Sequence, residues 1–154
     1  MIAEGEEAPD FTLDDQHGNP VSLTDLRGGT VVLYFYPRAN TSGCTTQACG
    51  IRDRKAEYEA AGATVIGVSP DPVAEIARFD QEHGFDFTLL ADPDHEVAEA
   101  YGTWVEKSMY GKKYLGPARA AYLFGADGKL IGLVPKVEAA THGQQLLATI
   151  AALK

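Results

Sequence analysis

Cysteine is scarce: the 154-residue chain has two, Cys44 and Cys49. Two are too few for the disulfide framework of a small secreted scaffold, so each reads as a reactive thiol or a packing residue. Positive charge is also short. Lys and Arg number 13 against 22 Asp and Glu, a formal net charge of −9, and no basic cluster occurs. That argues against nucleic acid or an anionic membrane as partner. No apolar run approaches the ~20 residues of a membrane-spanning helix. The opening residues, MIAEGEEAPDF, lack the basic-then-apolar order of a signal peptide, so a cytoplasmic location is expected. There is no Cys-x-x-Cys, no phosphate-binding glycine pattern, no internal repeat and no linker. His17, His83, His95 and His142 show no zinc-ligand spacing, and two cysteines five apart do not make a zinc or iron–sulfur site. Neither a metal nor a cofactor is expected.

The composition is that of a globular protein, 45% hydrophobic and 23% charged. A single domain over residues 1–154 is long enough to bury roughly 68–70% of its unfolded surface. Residues 8–29 read as two short strands joined by a turn at Asp15–Asn19, followed by a polar segment. The most strand-like run is Thr30–Tyr36, apolar on both faces as in a strand covered on two sides. A helix that carries Cys44 in its first turn and runs to about Ala61, stopped by Gly62, should place Cys44, Ala48, Ile51 and Tyr58 inward and leave Cys49 on another face. A second buried strand is read at Ala63–Val68. Asp71 and Pro72 cap a helix over Val73–His83, with Ile76 and Phe79 inward and Gly84 at its end. A strand at Phe87–Ala91 leads to a second cap-and-proline pair, Asp92-Pro93, and a helix reaching Gly102. Residues 103–118 have no clean period and read as a long loop. A hairpin, Ala120–Phe124 with Leu130–Val134, precedes a last helix over about Thr141–Leu153. The order gives a mixed α/β sheet with helices on both faces.

Chemistry concentrates in Pro37–Cys49, PRANTSGCTTQAC, directly after the main strand. Thr41, Ser42 or Gly43 can cap a helix that carries Cys44 in its first turn. The unpaired amides and partial positive charge of a helix start favour a thiolate over an isolated thiol of pKa ~8.5. The competing reading of a lone cysteine is a small buried hydrophobe.

The pattern Pro37-x-x-x-Thr41-x-x-Cys44 resembles the active-site signature of peroxiredoxins, and Cys49 five residues on resembles their bacterioferritin-comigratory, Q-type branch. The resemblance covers nearly the whole chain and implies a thioredoxin-like fold with an N-terminal hairpin extension. It implies a thiol-dependent peroxidase acting on hydrogen peroxide and organic hydroperoxides, often as a monomer. Cys44 would be the peroxidatic thiolate and pass to a sulfenic acid. The Thr41 hydroxyl, the Cys44 amide and the Arg119 guanidinium would hold the charge developing on the peroxide oxygen. Pro37 would shield the thiol from water. Thr41 also reads as a plain helix cap, and Arg119 as a surface ion-pair residue.

Cys49 would be the resolving thiol, forming an internal disulfide that thioredoxin or glutaredoxin reduces. In an intact helix, residues five apart have Cα atoms roughly 8–9 Å apart, beyond the ~7 Å reach of a disulfide. The first turns must therefore unwind. Gly43 and Gly50 flank the cysteines and would weaken the helix there, though Gly50 also reads as permitting close packing.

The chain departs from the branch at Ser42 (commonly proline), Gln47 (glutamate), Val105 (glycine) and Ala121 (threonine or serine). The lysines of Met109-Tyr110-Gly111-Lys112-Lys113 read as a solvated loop. Two other functions share the scaffold: a protein thiol–disulfide oxidoreductase, and a binding module with inert cysteines.

Overall fold

A computed structural model of the chain describes residues 5–7, 9–26, 29–36, 42–85, 87–109, 111–117 and 120–134. A short antiparallel hairpin, β1 (Thr12–Asp14) with β2 (Pro20–Ser22), opens it. Its turn is held by the Asp15 carboxylate, which accepts from the amides of His17 and Asn19, an Asx-type turn. The segment read as merely polar contains a 3-10 turn at Leu23–Leu26, and Leu23 is buried.

The central sheet has the order β5-β4-β3-β8-β9 among the described residues. β3 (Thr30–Phe35) and β4 (Ala63–Ser69) run parallel, as do β4 and β5 (Thr88–Ala91). β8 (Ala121–Phe124) pairs antiparallel with β3, and β9 (Leu130–Val134) with β8. Side chains alternate across a strand, and β3 uses both faces. Val32, Tyr34 and Tyr36 pack with helices α1 (Ser42–Asp53), α2 (Lys55–Ala60) and α3 (Val73–His83). Val31, Leu33 and Phe35 pack on the other side with Leu23 and with α4 (Glu96–Ala100). The expected mixed sheet with helices on both faces is borne out. Gly67 lies opposite Tyr34, and a Cβ there would stand 2.8 Å from the tyrosine ring.

The second face is tied by two phenols. The Tyr101 hydroxyl donates to the Pro9 carbonyl at 2.8 Å, and the Tyr122 hydroxyl to the Tyr101 carbonyl at 2.6 Å. Burial pushes both hydroxyls above the usual tyrosine range, Tyr122 to about 12.

Several boundaries differ from expectation. The helix expected to reach Ala61 breaks at Arg54, where α1 ends and α2 starts its own bonds from the Arg54 carbonyl. No proline or glycine marks this break. Helix α3 has the expected span, with Ile76 and Phe79 fully buried and Gly84 left-handed at φ 58°. Its N-cap, however, is Pro72 rather than Asp71. Helix α4 begins three residues after Pro93, with His95 at φ 49° before it. Asp92 still caps it from a distance, accepting from the amides of Val97 and Ala98. Burial raises the Asp92 carboxyl above the usual carboxylate range, against those two bonds.

The loop expected over 103–118 is, among the described residues, an antiparallel ribbon, β6 (Trp104–Met109) with β7 (Lys112–Pro117). Its base is stacked on α4, with the Trp104 and His95 rings 4.0 Å apart and 7° from parallel. The edge strand β5 is capped by Gln16, which donates to the Phe87 carbonyl and accepts from the Leu89 amide. The side-chain amide imitates a neighbouring strand and blunts that edge. Among the described residues, no helix is long and apolar enough to cross a membrane. The helix expected over Thr141–Leu153 lies outside the described residues.

Candidate active site

The two cysteines share one helix. β3 ends at Phe35, whose amide donates to the Ala120 carbonyl, and Tyr36 follows with its amide on the Val68 carbonyl. The chain re-enters the described residues at Ser42, where α1 starts, so the Cys44 backbone is third in the helix. Amides at that depth have no intrahelical acceptor. The first turn of α1 also holds no acidic residue. Nothing in that turn opposes the positive end of the helix dipole, which favours an anionic sulfur.

Further along α1, Ala48 and Ile51 are buried against the sheet, each 1% exposed, and Tyr58 of α2 joins them at 2%. That part of the expected stripe holds. Cys49 differs from expectation: it is half-buried and packs against the same core cluster. Its thiol is free. Because Cys44 and Cys49 both sit within α1, standard helix geometry keeps their Cα atoms beyond disulfide reach until the turns between them open. Gly50 does not serve close packing, since a Cβ there would meet nothing within 4 Å. Its remaining effect is to weaken the helix beside Cys49.

Arg52 carries no motif that marks it in the sequence. Its Nη1 donates to the His83 carbonyl at 2.7 Å, and its Nε to Asp53 at 3.0 Å. The signal for it was a basic residue in the last turn of α1, which ordinarily complements that helix's own dipole. Here the side chain reaches the C-terminus of another helix.

Pro37, Thr41 and Arg119 lie outside the described residues. Arg119 precedes Ala120, whose carbonyl binds the end of β3. Ala121, at a position where a hydroxyl residue is common in the branch, is fully buried opposite Tyr34. Lys112 and Lys113 are exposed, and Lys113 pairs with Glu106 across the ribbon at 3.5 Å. A cleft of about 230 Å³ beneath α1 and α2 is lined by Ile51, Lys55, Tyr58 and Phe87. Among the described residues, no three side chains are grouped to hold a metal ion.

Comparison with known proteins places this geometry in context. The model of the AhpC/TSA family matches residues 5–132. A protein of Haemophilus influenzae named putative peroxiredoxin bcp is 44% identical over 146 residues, covering 95% of this chain and 94% of its own length. Peroxiredoxin Bcp of Escherichia coli strain K12 is 45% identical over the same shares. Among solved structures, the bacterioferritin comigratory protein of Xanthomonas campestris superposes with a TM-score of 0.87 at 34% identity, covering 94% of this chain and 92% of that one. Its trapped-intermediate and ligand-complex structures concern alkyl peroxide reduction.

Proposed function

The chain belongs to the AhpC/TSA family and is a peroxiredoxin, and from that premise we propose that Cys44 carries its thiol peroxidase activity and Cys49 resolves it. The Cys44 thiolate attacks one oxygen of the hydroperoxide and breaks the O–O bond. The other oxygen leaves with the substrate's organic group, takes up a proton and departs as alcohol, or as water from hydrogen peroxide. Cys44 is left as a sulfenic acid. The Cys49 thiol then condenses with it, releasing water and forming the Cys44–Cys49 disulfide. A dithiol partner reduces that bond and is itself oxidised.

The observation that carries this reading is the placement of both cysteines in α1, with Cys44 in a first turn free of acidic residues and Cys49 half-buried two residues before the anchored Ile51. Family resemblance assigns the oxygen-holding groups to Thr41 and Arg119 and the shield to Pro37. Hydrogen peroxide and small organic hydroperoxides are the substrates on this reading. The alkyl peroxide activity studied in the Xanthomonas campestris relative supports the organic class. Thioredoxin or glutaredoxin is the reductant, and the protein acts as a cytoplasmic monomer with residues 1–154 as one domain.

Treating reduced protein with one equivalent of hydrogen peroxide and counting thiols tests the reading. Both thiols should disappear within seconds. Cys44→Ser should abolish peroxide consumption, and retained turnover would refute the assignment. Cys49→Ser should keep the first oxidation but stall a cycle driven by thioredoxin. Unchanged cycling would show that the reductant attacks the sulfenic acid directly.

A further inference from the structure

We infer that Arg52 sets the boundary of the unwinding that disulfide formation requires, by fastening the end of α1 to the C-terminus of α3. The inference rests on the proposed Cys44–Cys49 disulfide and goes beyond it, because it concerns where the opening stops. Closing that bond obliges the turns between the cysteines to leave helical geometry. Three residues after Cys49, the Arg52 guanidinium donates to the His83 carbonyl at 2.7 Å and holds Asp53 at 3.0 Å.

His83 is the last residue of α3, and its carbonyl is among those a helix end leaves without an intrahelical donor. A cation at that end also meets the negative pole of the dipole. The bond is therefore charge-assisted on a site with no helical competitor. Its acceptor is well anchored: Gly84 closes α3, its amide donating to the Asp80 carbonyl, and the His83 ring stacks on Phe85 at 5.3 Å. Beside Arg52, Ile51 is 1% exposed. Beyond it, the Arg54 amide donates to the Ile51 carbonyl at 3.1 Å, and α2 begins its bonds from the Arg54 carbonyl. The opened segment is thus confined to the residues before Ile51, while Ile51–Arg54 and α2 stay docked. Arg52 acts here as a positioning residue for Cys49, holding the chain just past it so that the thiol swings from a fixed base.

Amide exchange reads the boundary directly. Unwinding through Cys49 removes the acceptors of amides up to Asp53, whether or not the fastening holds. The Arg54 amide, bonded to Ile51, is the first whose protection depends on it. In wild-type protein, Arg54 protection and the Ile51 methyl resonances should be nearly the same in the reduced and disulfide forms. In Arg52→Ala, the reduced form should keep most of that protection. Its disulfide form should lose about tenfold, the scale of one charge-assisted hydrogen bond. Its midpoint potential should also turn more negative, because the oxidised form relaxes further than in wild type. Arg52→Lys, which keeps the charge but not the two-pronged reach, should fall between, and serves if the alanine variant does not fold. Loss of Arg54 protection in the wild-type disulfide form, or an unchanged boundary in the variants, would overturn the inference. Failure of hydrogen peroxide to form the disulfide would count against the proposed function instead. Diamide then forms the bond and the same exchange pattern still decides the role of Arg52.

Discussion

Helices α1 and α3 cover the same face of the sheet, and Arg52 of α1 donates to the His83 carbonyl at the end of α3. They are otherwise built in opposite ways. Helix α3 has an acid in its first turn, Glu75, and a basic residue in its last, His83, matched to its dipole. Ile76 and Phe79 are both 0% exposed, and Gly84 at φ 58° closes the end. Helix α1 has no acid in its first turn, carries Gly50 in its interior and gives way to a break at Arg54. The difference follows from their tasks. A helix that only supports the sheet can satisfy its dipole and its core. On the proposed function, α1 would present a thiolate at an uncompensated positive end and would have to come apart to close an internal disulfide.

Substitutions that treat the two helices alike should have unlike results. The largest effect is expected from Phe79→Ala in α3, which removes a ring 4.6 Å from that of Phe85. It should cost about 3–5 kcal/mol of global stability in denaturant unfolding, as for other buried aromatic truncations. A loss under about 1 kcal/mol would mean that α3 is not the anchored member of the pair. Next comes a matched pair of glycines. A Cβ meets nothing within 4 Å at either Gly50 or Gly84, so sterics with neighbours decide neither case. At Gly84 the left-handed backbone does, and Gly84→Ala should destabilise by about 1 kcal/mol or somewhat more. At Gly50 the conformation is helical, and Gly50→Ala should stabilise α1 by about 0.5–1 kcal/mol. The stabilised helix should then form its disulfide about two- to fivefold more slowly, with the first oxidation of Cys44 unchanged. Stopped-flow fluorescence with thiol trapping separates the two steps. Equal signs at the two glycines would remove the distinction between the helices.

Much of this architecture is legible in the chain. The β3 run declares a strand covered on both faces, and the span of α3 and its closing Gly84 are legible, though its cap falls on Pro72 rather than Asp71. The placement of Cys44 in a first turn follows from the residues before it. The β6–β7 ribbon was illegible for a physical reason. Its cross-strand pairs join Glu106 to Leu115 and Ser108 to Lys113, so the sequence sets charged, polar and apolar residues opposite one another without a clean period of two, and Leu115 is 61% exposed. Gln16 reads as a turn residue because its partners, Phe87 just before β5 and Leu89 within it, lie 71 and 73 positions away. The cap at Asp92 was legible by type, but its distance from α4 was not, since His95 takes a left-handed conformation between them.

The order of residues alone determined that a cysteine opens a helix after a buried strand, with a second cysteine five positions on. Caps, breakers and side-chain period act within a few residues, and their message survives without a fold. Only the folded chain decided that Cys49 lies half against the core, that α1 ends at Asp53, and that Arg52 reaches a helix 31 positions away. Those outcomes depend on which surfaces meet across the sheet, and contacts between distant segments exist only once the intervening chain has packed.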